Sequence, residues 1–343
     1  MLQQLVNALA QGAVYALIAL GYTMVYGVLR LINFAHGEVF MVGAFVGLAA
    51  LTTLGNWPLP PAALLALAIL LAMLGAALLG MTIERCAYRP LRNAPRLAAL
   101  ITAIGVSLLL QNLGVILAGA EPRPYPAALS RDPLPWLERH AGLSVTPQQL
   151  LIVGATAVIF VLLYLIVSRT RIGKAMRAVA EDRQAAQLMG VNIDRVISFT
   201  FCLGSAIAGA GGVLYGTYCN KAEPLMGFMP GIKAFVAAVL GGIGSIPGAM
   251  LGALLMGLVE TGVSSVTLHL PLLLPAPGTG SANLAAVTVM AAVSPQALCL
   301  GLLSPPATIS GSTLRDAAAF AVLIAILLLR PAGLLGQSGR EKV

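Results

Sequence analysis

The run Arg30-Leu31-Ile32-Asn33-Phe34-Ala35-His36-Gly37-Glu38 sets four polar or ionisable side chains inside a stretch that is apolar on both sides. Ionisable groups at membrane depth are costly, and they line cavities or pair with one another. Gly37 permits close backbone approach. A helix opening near Asn33 would turn free N–H groups toward an anion such as a carboxylate. Glu38 would then pair with Arg30 or meet an ammonium group. Read without further context, the same residues also describe a plain turn, with Arg30 as a topology anchor and Asn33 as an N-cap. A second candidate lining is Gly-rich: Gly241, Gly242, Gly244 and the break at Ile246-Pro247. Close helix packing, with Gly248 and Gly252 as a GxxxG pair, is the plainer reading of that stretch.

A third constellation is charged. Residues 169–195 carry Arg169, Arg171, Lys174, Arg177, Arg183 and Arg195 against Glu181, Asp182 and Asp194. Ala, Gln, Leu and Met from Arg177 onward favour a helix that Gly190 would end. Ala185, Leu188 and Met189 fall on one face of it. Such a helix docks into a partner's groove or lies on a bilayer surface, and its chemistry fits both.

The elements that must position these residues follow from composition. Of 343 residues, 59% are hydrophobic and 9% charged, against about 25% charged in an ordinary soluble domain. Charge is absent between Glu38 and Glu84, Arg96 and Glu121, Arg139 and Arg169, Arg195 and Lys221, Lys233 and Glu260, and Glu260 and Arg315. Each gap can hold a membrane helix of about 20 residues. Spans must satisfy their own backbone groups, and no alternating β-barrel pattern is present. The sequence therefore predicts an all-α polytopic membrane protein with about eight spans (eight to ten). They fall at 5–29, 36–54, 61–83, 97–119, 149–168, 196–219, the long stretch 229–262, and 314–330.

The net charge of +8 does not indicate a nucleic-acid partner. The basic residues sit in short loops, where they report topology. Loops 84–96 and 169–195 are expected on the cytoplasmic side. Loop 120–148, Pro-rich and balanced in charge, is expected outside. A cytoplasmic tail after Arg330 requires an even number of crossings between 220 and 313. Either 229–262 is a hairpin broken at 241–248, or it crosses once and 280–304 crosses again. Segment 263–312 is uncharged and Pro-rich, and stays structurally unassigned. The four cysteines are read as small packing residues. The first span is read as a retained helix and not a signal peptide.

The two halves resemble each other weakly. A Gly-containing span, a polar break and a Gly-rich span occur at 12–28, 30–38 and 39–54, and again at 203–218, 220–233 and 234–257. Paired interrupted spans point to a transporter's substrate site. Absences also bear on function. The sequence has no phosphate loop, nucleophile elbow, HExxH or CxxC. Catalysis, a bound metal and a cofactor in this chain are not expected.

The runs Gly21-Tyr22-Thr23-Met24-Val25-Tyr26-Gly27-Val28 and Ile32–Glu38 resemble the start of LivH-type permeases of bacterial branched-chain amino acid ABC importers. So do Gly173–Asp182 through Met189-Gly190-Val191, Gly241–Ala249, and the ending Leu329–Gly336. The resemblance spans nearly the whole chain except 263–312, where that family implies a much shorter connection and roughly 30 residues are extra. A genuine insertion, an added hairpin and an altered reading frame are the alternatives there.

The resemblance implies one permease domain over 1–343, working with a second permease subunit. Two cytoplasmic ATPases, which use the ATP, and an extracytoplasmic binding protein complete the system. Gln184-Ala185-Ala186-x3-Gly190 matches the spacing of the importer coupling motif EAA-x3-G, with Gln for Glu. It implies an ATPase-coupling role for Arg177, Glu181, Asp182, Ala185, Ala186, Leu188 and Gly190. It also strengthens Asn33, Phe34, His36, Gly37 and Glu38 as translocation-path residues. The expected cargo is Leu, Ile and Val, or related amino acids, urea or amides. The alternative is a secondary transporter with Glu38 or Glu260 as ion carrier.

Overall fold

The computed structural model describes residues 2–31, 33–92, 94–126, 132–135, 138–139, 142–265, 267–270, 307–330 and 333–336. Eleven α-helices are found among them. In chain order they are α1 (Leu2–Leu29), α2 (His36–Leu54), α3 (Pro61–Ile83), α4 (Arg96–Ala118), α5 (Pro147–Arg169), α6 (Arg171–Glu181), α7 (Arg183–Leu188), α8 (Ile193–Cys219), α9 (Phe228–Gly241), α10 (Ile246–Ser264) and α11 (Gly311–Leu329). A π-helical turn, Glu84–Tyr88, extends α3. Two short antiparallel ladders join β1 (Arg123–Pro124) to β2 (Lys221–Ala222), and β3 (Thr267–Leu270) to β4 (Ala307–Ser310).

Seven helices among the described residues are long and apolar enough to cross a membrane. The 19-residue α11 has the length of an eighth. The expected spans thus agree with the fold, with one refinement. Stretch 229–262 is a hairpin, α9 and α10, broken at Gly242–Ser245. Gly248 packs on Gly241 and Gly252 on the Ala237 carbonyl, so the two helices run antiparallel along the GxxxG ridge. Gly242 and Gly244 have φ of +103° and +94°, a left-handed turn that glycine adopts without strain. Segment 280–304, the other candidate crossing, lies outside the described residues. So does most of 263–312, whose described ends belong to α10, β3, β4 and α11.

The two basic loops meet at one end of the bundle. Arg89 reaches Asp194 at 2.5 Å, Arg92 bridges Glu84 and Asp194, and Arg30 donates to the Ala180 carbonyl at 3.3 Å. The tail joins this end, with Leu334 and Leu335 N–H groups on the Leu240 and Gly241 carbonyls. At the opposite end Gln3 bonds Ser144 and Asn7 bonds Gln149, and β1 pairs with β2. Residues 169–195 and 333–336 thus lie at one end of the bundle, and the described parts of 120–148 at the other.

Helix association in lipid depends on close packing by small side chains. Along α3, Ala72 and Ala76 close on Gly209 of α8. The three cysteines described are free, but Cys86 is exposed and Cys202 and Cys219 only half-buried, so the packing role holds poorly for Cys86.

The weak internal symmetry becomes an architectural one. α1, α2, α3 and α4 form one set, and α8, α9, α10 and α11 the other. α1 and α8 cross antiparallel at the bundle centre, where Gly21 meets Gly204. α1 also packs against α10, and α8 against α3, so each long helix packs on the third helix of the other set. Among the described residues only Arg30 (φ 55°) and Asn220 (φ 56°) are non-glycines with positive φ. They occupy the same place, directly after α1 and α8. The inverted order is that of transporter repeats.

Candidate functional site

After Arg30 and Asn220 the chain does not cross to the next helix at the membrane end. It turns back toward the middle of the bundle and starts a new helix there. His36, the first residue of α2, packs its ring by Gly21 and Tyr22 of α1, with the ring centroids of His36 and Tyr22 4.8 Å apart. Gly37 follows Arg30 by seven residues, and Gly227 follows Asn220 by seven. These two glycines touch. A Cβ on Gly37 would lie 2.5 Å from the Gly227 carbonyl oxygen, and one on Gly231 would lie 3.1 Å from the Gly37 Cα. The N-termini of α2 and α9 therefore face each other at mid-depth, with the helices running to opposite ends.

Neither of these N-termini has a side-chain cap; the residues before them are Ala35 and Gly227. Of the helices that begin at the bundle ends, five carry side-chain caps, with Thr146, Thr170, Asp182, Asn192 and Ser245 each accepting a backbone N–H, while α3 and α4 start after Pro60 and Pro95 without one. Each N-terminus directs a partial positive charge at the junction, although in α2 the His36, Glu38 and Val39 N–H groups are already used on the Asn33 and Ala35 carbonyls.

Beside this junction lies a cavity of about 240 Å³, walled by Tyr22, Phe34, Gly37, Glu38, Ser107, Gln111, Gly227, Phe228 and Gly231 among others. At about 30 Å³ per water it has room for roughly eight waters, the size class of one small amino acid. Its walls are largely apolar. Glu38 is 1% exposed. One carboxyl oxygen accepts from Gln111 Nε2 at 2.7 Å and from Ser107 Oγ at 3.3 Å. The other, Oε2, is buried with no hydrogen-bond partner among the described residues. α4 supplies both donors and also Ile104 to the wall.

The structure sorts the expected path residues. Phe34, Gly37 and Glu38 line the cavity. Asn33 does not: its side chain accepts from the Tyr88 hydroxyl at 2.9 Å, and the N-cap position belongs to Ala35. Its backbone carbonyl serves the turn, accepting from the His36 N–H at 3.1 Å. His36 lies behind the cavity under Gly21. Glu38 does not pair with Arg30, which is at the end of the bundle where the basic loops meet, on Ala180. Gly241, Gly242, Gly244 and Pro247 also lie away from this cavity. Gly241 packs on Gly248, Gly242 on Gly336 and Gly244 by Gly27, while Pro247 opens α10.

Sequence reasoning missed Tyr22, Ser107 and Gln111 as site residues, and it missed the buried cluster around Lys233. Gln111 and Asn112 form a polar interruption inside span 97–119, and Lys233 is a lone charge inside an apolar stretch, so both left a signal. Lys233 is buried in α9, with Nζ 2.8 Å from Glu260 and 2.6 Å from Asp316. Glu260 also accepts from Tyr15 at 2.8 Å and Gln11 at 2.7 Å.

At the end where the basic loops meet, the expected single helix from Arg177 to Met189 is two. Asp182 ends α6 and caps α7, accepting from the Gln184 and Ala185 N–H groups at 2.8 and 3.1 Å. Asx capping competes with helix continuation, which explains the break. Arg177 donates to the Val167 carbonyl and Glu181 is exposed. Ala186 is buried while Ala185 is exposed, and Leu188 and Met189 stand 88% and 83% exposed. Gly190 has φ +83°.

The chain matches, over residues 4–327, the family described as branched-chain amino acid transport system / permease component. The chain belongs to this permease family. It is similar to the high-affinity branched-chain amino acid transport system permease protein BraD of Pseudomonas aeruginosa, 40% identical over 100% of this chain and 98% of that protein. It is also similar to the LivH permease protein of Escherichia coli K12, 39% identical over 100% of this chain and 97% of that protein. The ribose import permease protein RbsC of Escherichia coli is 26% identical over 77% of this permease and 78% of its own length. No solved structure matches.

Proposed function

We propose that this permease is the multi-pass inner-membrane subunit that carries Leu, Ile and Val across the membrane in an ATP-driven importer. Family membership and relatives named as branched-chain amino acid permeases support that reading. The observation that carries it is the junction of two uncapped half-helices beside Glu38. A branched-chain amino acid has an ammonium, a carboxylate and an apolar side chain. The free Glu38 oxygen meets the ammonium, the α2 and α9 N-termini face the carboxylate, and Tyr22, Phe34, Ile104 and Phe228 take the side chain.

The partners are a second permease subunit, two cytoplasmic ATPases that hold and hydrolyse ATP, and an extracytoplasmic binding protein. The exposed Ala185, Leu188 and Met189 suit a groove on an ATPase. Gly190 ends α7 in a left-handed conformation that a side chain strains. Gly190→Asp therefore leaves the subunit in the membrane and abolishes ATP-dependent leucine uptake in vesicles containing the assembled system. Uptake that survives ATP removal and collapses with the ion gradient overturns the reading in favour of a secondary carrier.

A further inference from the structure

α1 ends at Leu29, so its last carbonyls have no partner within the helix. The Arg183 side chain supplies one. Its Nη2 donates to the Leu29 carbonyl at 2.7 Å, with the Val28 carbonyl at 3.5 Å. Arg183 is the first residue of α7, directly after the Asp182 cap. A second bond runs the other way: Arg30, the residue after α1, donates to the Ala180 carbonyl near the end of α6 at 3.3 Å. The two guanidinium groups thus clasp the α1 terminus to the α6–α7 corner from both sides. Around them is a cavity of about 470 Å³, lined by Val28, Leu29, Arg92, Ala180 and Asp182 among others.

The Arg183 site is unusual for a surface arginine. Burial, then the charges of Arg92 and Arg30, pull its guanidinium below its ordinary pKa range. Its bonds to carbonyls at the negative end of α1 offset that cost. Beyond the clasp, Arg30 opens the seven-residue path to Gly37 and Glu38. α1 itself carries Tyr22 into the mid-membrane cavity. The corner that bears Leu188 and Met189 is therefore joined through these two bonds to two of the segments that wall the cavity, α1 and the Arg30–Glu38 break.

We propose that Arg183 is the positioning residue that transmits movement of the α6–α7 corner to α1 and the Arg30–Glu38 break. This deepens the proposed ATP-driven reading and rests on it. Arg183 touches neither cargo nor ATP. Its role is to keep the corner and the α1 terminus moving as one body, so that closure of a cytoplasmic motor changes the cavity.

The test uses the whole transporter in proteoliposomes, with leucine uptake and ATP hydrolysis measured on the same preparation. For Arg183→Gln the ATPases still copurify and ATP is still hydrolysed. Uptake per ATP falls about tenfold or more, as expected from losing a charge-assisted hydrogen bond. Arg183→Lys, which keeps a cation able to reach Leu29, restores part of that ratio. Arg30→Gln, an exposed change that serves if the Arg183 variants fail to accumulate, lowers the ratio by a smaller factor. An unchanged ratio in these variants overturns the proposal. Loss of ATPase copurification with Arg183→Gln also overturns it, because Arg183 would then belong to the docking surface. A wild-type complex that shows no ATP-dependent uptake sinks the underlying transport reading instead.

Discussion

The two helix breaks have the same geometry and opposite electrostatics. Each follows a left-handed residue, Arg30 or Asn220, and each starts a half-helix at a glycine junction. In the first, Glu38 has only the neutral donors Gln111 and Ser107, and a free carboxyl oxygen. In the second, Lys233 and Arg315 both face Glu260 and Asp316, two cations against two acids. A group buried without a counter-ion is expensive, and function is the usual reason it persists. An ion pair that is neutralised internally asks for no ligand. Symmetry therefore supplies two breaks, and the side chains make one receptive and the other structural.

This contrast is open to attack at three places, starting with the largest effect. Removing Lys233 leaves the buried Glu260 with Arg315 at 3.7 Å and the neutral donors Gln11 and Tyr15, at a cost of up to about 3–5 kcal/mol. Lys233→Met accordingly lowers the thermal midpoint and membrane yield of the purified subunit. Lys233→Met combined with Glu260→Gln recovers part of the loss. A stable Lys233→Met variant that has lost only uptake places Lys233 with the receptive break and ends the distinction.

The junction shared by both breaks comes next. A Cβ on Gly227 would collide with the Gly37 backbone, whereas one on Gly105 of α4 meets nothing within 4 Å. Gly227→Ala costs roughly 1–3 kcal/mol, the range for overpacking. Gly105→Ala leaves both melting temperature and uptake at wild-type values. Equal tolerance at the two positions in a melting assay removes the tight junction from the argument.

The smallest change in stability with the clearest change in function belongs to Glu38. Glu38→Gln keeps the shape and an acceptor for Gln111, so yield and melting hold. Loss of a charge-assisted contact of about 1.5–3 kcal/mol reduces leucine affinity roughly tenfold to a hundredfold. Leucine binding unaffected by the substitution assigns Glu38 to packing alone.

Much of this arrangement is legible in the chain. Charge-free intervals between Glu38, Glu84 and Arg96 locate α2, α3 and α4 within a residue or two, because burying charge in lipid is so costly. The hairpin at Gly241–Gly248 left two readings open, since a Gly-rich turn looks the same whether chain direction reverses or continues. Asn33 shows the commoner difficulty. A polar residue before a helix suits a cap or a cavity, and only the position of Tyr88, 55 residues away in the chain, directs it elsewhere. The corner at Asp182 was hidden for a local reason, as helix-forming neighbours masked a capping side chain.

Composition and charge placement alone determined that this chain is helical, crosses the membrane repeatedly, and gathers its basic loops at one end. Those properties follow residue by residue from the cost of charge and unsatisfied backbone in lipid. The tertiary structure alone decided that Gly37 meets Gly227, that Gln111 and Ser107 meet Glu38, and that Lys233 is neutralised. Such contacts join residues far apart in the chain, and no local cost in the sequence distinguishes one distant partner from another.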